Sequence, residues 1–216
     1  MTHLISYLGP TDANRFAQAV GTALERAYTI LSARHDADAG DDGHTFGVGA
    51  WRLGSKQVAD ALALSMPEAE VSWPNGSLEI RLGGKVFHLY RAGEEGESAS
   101  VFRLDGTDTK VSIRQSNAEQ LSLGFLDHAD EGELEHLVLL HCGDPESGLD
   151  SIQVGAPTSL SGVDTTWLWM EQVWPVSSAA AGGPDASEVR PFGEGPRPNL
   201  DLALRDDDAD QRVDGA

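Results

Sequence analysis

Cysteine occurs once, at Cys142, lysine only three times, and aromatic residues make up 6% of the chain. A single cysteine excludes an intramolecular disulfide framework and suits a reducing compartment. No apolar run approaches the roughly 18 residues of a membrane helix; none exceeds four residues, and that from Leu137 to Leu140 is strand-sized. Residues 1–10 have no basic stretch followed by a long apolar run, so no signal peptide is expected and the expected location is the cytoplasm. Fixed-period repeats are absent. So are a Gly-rich phosphate loop followed by Lys-Ser/Thr, a Gly-x-Ser-x-Gly elbow and a His-Glu-x-x-His zinc motif. No cofactor is expected.

What is present in excess is negative charge. Lys plus Arg number 15 against 35 Asp plus Glu, a formal net charge of −20. Residues 1–175 carry 26 acidic and 11 basic residues, net −15, and residues 176–216 carry nine and four, net −5. A body this acidic repels nucleic-acid phosphates and anionic lipid and attracts basic partners. Acidity of this kind also serves plain solubility.

The hydrophobic pattern divides the chain. Thr11 and Asp12 are N-cap types ahead of Phe16, Val20, Ala23, Leu24, Ala27, Tyr28 and Leu31, one apolar stripe at helical spacing. This predicts a helix over residues 13–33, then a polar loop from His35 to His44 and an extended segment from Thr45 to Leu53. Ser55 caps a second expected helix, with Val58, Ala59, Leu62, Ala63 and Met66 on one side and a stop at Pro67. Beyond Pro67 the period becomes two. Strands are expected at 71–73, 77–82 and 85–91, parted by Asn75-Gly76 and Gly83-Gly84, dipeptides that tolerate positive φ. Residues 101–104 and 109–114 read as a further hairpin around Asp105-Gly106, and 117–130 as room for a short helix. The run Leu-Val-Leu-Leu within 135–142 predicts a strand buried on both faces, and 151–156 and 166–173 complete the set. Residues 176–216, rich in Gly, Pro, Ser and Asp, read as a disordered acidic tail in which only Asn199 to Leu204 alternates. The expected class is α+β: one domain over residues 1–175, with two N-terminal helices on a mostly antiparallel sheet of seven to nine strands.

Three groups of residues are chemically suggestive. Between His35 and His44 stand Asp36, Asp38, Asp41 and Asp42, donors suited to a divalent ion. Their spacing fails the EF-hand loop, since Gly40 and Gly47 fall where ligands belong, and an acidic turn is the ordinary reading. His136, His141, Cys142 and Asp144 surround the buried strand, but positions 136 and 141 point to opposite faces and Cys142 diverges from its neighbour. Asp105, Asp108 and Lys110 match a metal-and-lysine nuclease set only as well as they match turn chemistry. Basic residues gather in the meander (Arg81, Lys85, Arg91, Arg103, Lys110, Arg114), which predicts a sheet face less acidic than the rest. The last strand holds Trp167, Trp169 and Val173 on one expected face and Leu168, Met170 and Trp174 on the other, a pattern of core or of interface. The stretch from His141 to Pro157 has the look of a strand-turn-strand unit around Gly143-Asp144.

Together these features predict a non-enzymatic, acidic cytoplasmic protein that regulates or inhibits a basic macromolecule, of the immunity, antitoxin or anti-defence type. Its expected contact residues are Asp36, Asp38, Asp41, Asp42, Glu94, Glu95, Glu97, Trp167, Trp169 and Trp174. Direct nucleic-acid or membrane binding is not expected. The alternatives are a metal-dependent hydrolase or nuclease built on the His35–His44 loop, and a structural subunit completed through the Trp-rich strand.

Overall fold

Phe16, Val20, Leu24 and Tyr28, the stripe read from the sequence, are all buried on one side of a 23-residue helix. The computed structural model of the chain describes residues 1–93, 108–124, 134–158 and 166–175. A short helix α1 (Thr2–Leu8) leads into that long helix, α2 (Pro10–Ser32), across Gly9, with Pro10 at a first-turn position where its missing N–H costs nothing. A 3-10 turn (Ala37–Ala39) precedes α3 (Gly43–Ser65). Strands β1 (Glu70–Ser72), β2 (Glu79–Leu82) and β3 (Lys85–Gly93) follow, then α4 (Asp108–Gly124), β4 (His136–Asp144), β5 (Gly148–Pro157) and β6 (Trp167–Trp174).

The class is α+β, with helices at the N-terminus packed on a mixed sheet of six strands in the order β1 to β6. Four pairings are antiparallel; β3 and β4 run parallel, with α4 in the connection between them. The expected count of seven to nine strands is too high because residues 109–114, read as a strand, belong to α4. Only Val111 and Ile113 alternated there, too short a pattern to distinguish a period of two from a helix. The expected extended segment 45–53 is also helical, since α3 begins at Gly43 rather than near Ser55. Gly47, Gly49 and Gly54 argue against a helix on propensity, yet each marks a close approach. A Cβ on Gly54 would lie 2.9 Å from Leu24 Cδ2, one on Gly49 3.0 Å from Leu31 Cδ2, and one on Gly47 2.8 Å from Arg91 Nη1. Tertiary packing of α3 on α2 and β3 overrides the local preference.

One sheet face carries Phe87, Leu89, Leu137, Leu139, Ile152, Val154 and Val173 against Phe16, Leu24, Val58 and Leu62 of the N-terminal helices. The other carries Tyr90, Val138 and Leu140 against Ile113 of α4. β4 is therefore buried on both faces, as its uninterrupted apolar run requires. Gly83 and Gly84, at φ 59° and 75°, make the two-residue β2–β3 turn. On β2, Glu79 pairs with Arg81; Glu94, Glu95, Glu97 and residues 101–104 and 176–216 lie outside the described residues.

α4 is fastened by one wholly buried side chain. Asn117 Nδ2 donates to the carbonyls of His136 (2.8 Å) and Pro157 (2.9 Å), and its Oδ1 accepts from His136 N (3.3 Å). Asn117→Ala is expected to lower stability by about 3 kcal/mol, because buried carbonyls lose their donor. A urea titration checks this; a loss below about 1 kcal/mol would mean that α4 docks without the clamp.

Candidate functional site

Three of the four aspartates of the 36–42 loop accept hydrogen bonds from nearby backbone amides. Asp36 Oδ1 accepts from the amides of Asp38 (3.0 Å) and Ala39 (3.1 Å), and Asp41 Oδ2 accepts from that of Asp36 (3.0 Å). Asp42 caps α3, its Oδ1 accepting from Thr45 N (2.8 Å) and Thr45 Oγ1 (2.9 Å), and these bonds hold its carboxyl below the usual carboxylate range. None of the four forms an ion pair among the described residues, and the exposed Asp38 carboxylate has no hydrogen-bond partner there. The loop is thus a fixed array of uncompensated negative charge. Among the described residues no three His, Cys, Asp or Glu side chains are grouped to hold an ion.

Beside this loop, the first turns of α3 and the end of β3 enclose a cleft of about 380 Å³, lined by Gly43, His44, Gly47, Val48, Trp51, Arg91 and Ala92. Arg91 is placed there by strand parity. Phe87, Leu89 and Arg91 alternate toward the N-terminal helices, so a guanidinium occupies the third inward position of β3. Its Nη2 donates to Gly143 O (2.9 Å), while its buried Nε has no hydrogen-bond partner. No acidic side chain among the described residues pairs with it. Arg91, counted from the sequence among the basic residues of the meander, thus faces the N-terminal helices. Of the other cations in that set, Arg81 pairs with Glu79 and Lys110 lies on α4 over the Tyr90 ring.

Behind Arg91, Tyr28 Oη and His141 Nδ1 are 3.0 Å apart in the core. Burial, opposed by the nearby Arg91 charge, pushes the Tyr28 phenol up to about 12. Burial, reinforced by the same charge, drives the His141 imidazole down to about 3. Both groups are neutral near pH 7. His141 Nε2 is buried without a partner.

An imidazole pair lies on the opposite face, where His88 Nε2 and His136 Nδ1 are 3.0 Å apart and the rings stack. Burial, with the neighbouring His136, lowers His88 to about 3, and burial lowers His136 as well. Five-residue spacing had separated His136 from His141; the partner of each, His88 and Tyr28, was not legible. Cys142 is buried beside Ser151 Oγ (3.1 Å) and Asp150 Oδ2 (3.4 Å), and burial raises its thiol, an environment that keeps it protonated.

The tryptophans divide between faces because bulges interrupt the β5–β6 register. Trp169 is buried, stacked on His3 at 4.5 Å with Nε1 donating to Tyr7 Oη (3.1 Å). Half-buried Trp174 also packs on the N-terminal side, directly over Gly21, whereas Trp167 joins Met170 on the α4 side. The simple alternation expected for this strand thus fails at Trp167 and Trp174. Glu171 instead reaches α1, where its carboxylate accepts from the amides of His3 (3.1 Å) and Leu4 (2.7 Å). Among the described residues no helix is long and apolar enough to cross a membrane. No family model matches the chain, and no curated protein or solved structure matches it.

Proposed function

We propose that this chain is a non-enzymatic cytoplasmic binding protein that regulates or inhibits a basic macromolecule, and that the 36–42 loop is its contact surface. The observation that supports it is the loop itself, four carboxylates in seven residues, three of them accepting backbone hydrogen bonds and none in an ion pair among the described residues. A rigid array costs little ordering entropy on binding. With a net charge of −20, it also speeds encounter with a cationic surface. The three tryptophans of β6 are spent on packing α1, α2 and α4, so this reading assigns them no contact role.

The test is capture of a partner from native lysate at low salt, followed by titration of the purified pair. Asp38→Asn is the clean variant, because the Asp38 side chain caps nothing. The expected result is a basic protein whose affinity falls steeply between 50 and 300 mM salt and drops a further three- to tenfold in Asp38→Asn, about 0.7 to 1.4 kcal/mol. A partner indifferent to both salt and Asp38, or no partner at all, would sink the reading.

A further inference from the structure

Arg91 sits in a cleft with no acidic partner among the described residues, in a chain with more than twice as many acidic as basic residues. An arginine so placed ordinarily finds a carboxylate, because a partly desolvated guanidinium without one is costly. Arg15, Lys56 and Arg81, all more exposed to solvent, each have such a partner. Among the described residues the polar neighbours of Arg91 are neutral, the Gly143 carbonyl that accepts from Nη2 and the Tyr28 phenol, and Nε is buried with no acceptor. The fork is also fixed. Gly47 leaves the space that Nη1 occupies, and any Cβ there would lie 2.8 Å from it. One wall of the cleft is the first turn of a 23-residue helix, whose dipole favours negative charge. The other walls, Val48 and Trp51, are apolar, and His44 lies at the exposed rim.

We propose that this cleft binds a small organic oxyanion, with a carboxylate or phosphate group on the Arg91 guanidinium and an apolar body against Val48 and Trp51. About 380 Å³ suits a ligand of that size. The net charge of the protein opposes anion entry, and so does Asp42 at the helix cap. Both act mostly through screened solvent, over a Debye length of about 8 Å at physiological salt, whereas the guanidinium acts at contact. The proposal does not depend on the acidic-loop reading, since it concerns a ligand of opposite sign at different residues. Either can fail alone.

The experiment titrates the full chain with phenyl phosphate, benzoate and inorganic phosphate, against sodium chloride at matched ionic strength. It follows the Arg91 Nε–H and Trp51 indole N–H resonances. Saturable shifts of both with phenyl phosphate but not benzoate would assign a phosphate ligand. The reverse would assign a carboxylate, and saturation by inorganic phosphate alone would retain the anion site but remove the apolar body. In Arg91→Gln, with fold checked by its amide spectrum, affinity is expected to fall at least tenfold while Asp38→Asn leaves it unchanged. If the variant does not fold, the wild-type Arg91 Nε–H shift decides. No saturable shift by 20 mM of any probe, or equal affinity in folded Arg91→Gln, would overturn the proposal.

Discussion

Lowering the pH from 7 to 5 is expected to remove about 4 kcal/mol of folding stability, through His88 and His141. Burial holds both imidazoles down to about 3 in the folded protein, against an ordinary value of 6.5. The depressed value means that the folded state prefers the neutral ring and that the unfolded chain binds more protons in acid. The stability is therefore fully present above about pH 6.5 and drains as the pH falls, down to about 3. Each ring contributes a slope near 1.4 kcal/mol per pH unit, or about 2 kcal/mol between pH 7 and 5. His136, also lowered by burial, adds in the same direction. The opposing effect is relief of carboxylate repulsion as the chain approaches its isoelectric point of 4.5. Those charges are mostly exposed and screened, so their relief is worth tenths of a kcal/mol per pair and does not reverse the sign. Urea midpoints at pH 7, 6 and 5 and constant ionic strength test this. His141→Gln should flatten the slope by about 1.4 kcal/mol per unit, and a midpoint flat across this range would refute the assignment.

What was legible in the sequence is what repeats. The α2 stripe, the Gly83-Gly84 turn and the doubly buried β4 each carry a periodic or dipeptide signal long enough to read. The N-terminal half of α3 was illegible because Gly47, Gly49 and Gly54 lower helix propensity, and their use, close approach to Arg91, Leu31 and Leu24, exists only in the folded state. α4 failed for want of apolar periodicity; it is anchored instead by a polar side chain, Asn117. α1 had no cap residue to announce it, because its cap is Glu171 from the far end of the domain. The cleft was half legible. Parity with Phe87 and Leu89 turns Arg91 inward, a signal present in the sequence, but the lack of an acidic partner among the described residues and the proximity of Tyr28 and His141 depend on long-range packing.

Gly143→Ala is expected to lower folding stability by about 4 kcal/mol. Gly143 lies at the β4–β5 bulge with φ 153°, a region L side chains rarely adopt, at a cost of about 1–3 kcal/mol. The added Cβ would also strike Gly148 O and approach Tyr28 Cε1 to 2.8 Å, overpacking worth a further 1–3 kcal/mol or so. Neither neighbour can yield easily. Gly148 O belongs to the paired strand, and Tyr28 is wholly buried against Phe46 and His141. The turn beyond is pinned as well, since Asp144 Oδ1 accepts from the amides of Glu146 (2.9 Å) and Ser147 (2.6 Å). Gly148 supplies the control. Its φ of 81° is equally unsuited to alanine, but nothing lies within 4 Å of the position its Cβ would take. Gly148→Ala should therefore cost only the conformational share, about 1 kcal/mol. The difference between the two variants, read from urea midpoints, measures the steric share at Gly143. Equal losses would mean that Tyr28 and the bulge are softer than their burial implies. Because Gly143 O is also the acceptor for Arg91, a folded Gly143→Ala should displace the guanidinium and weaken oxyanion binding with no change in the acidic loop.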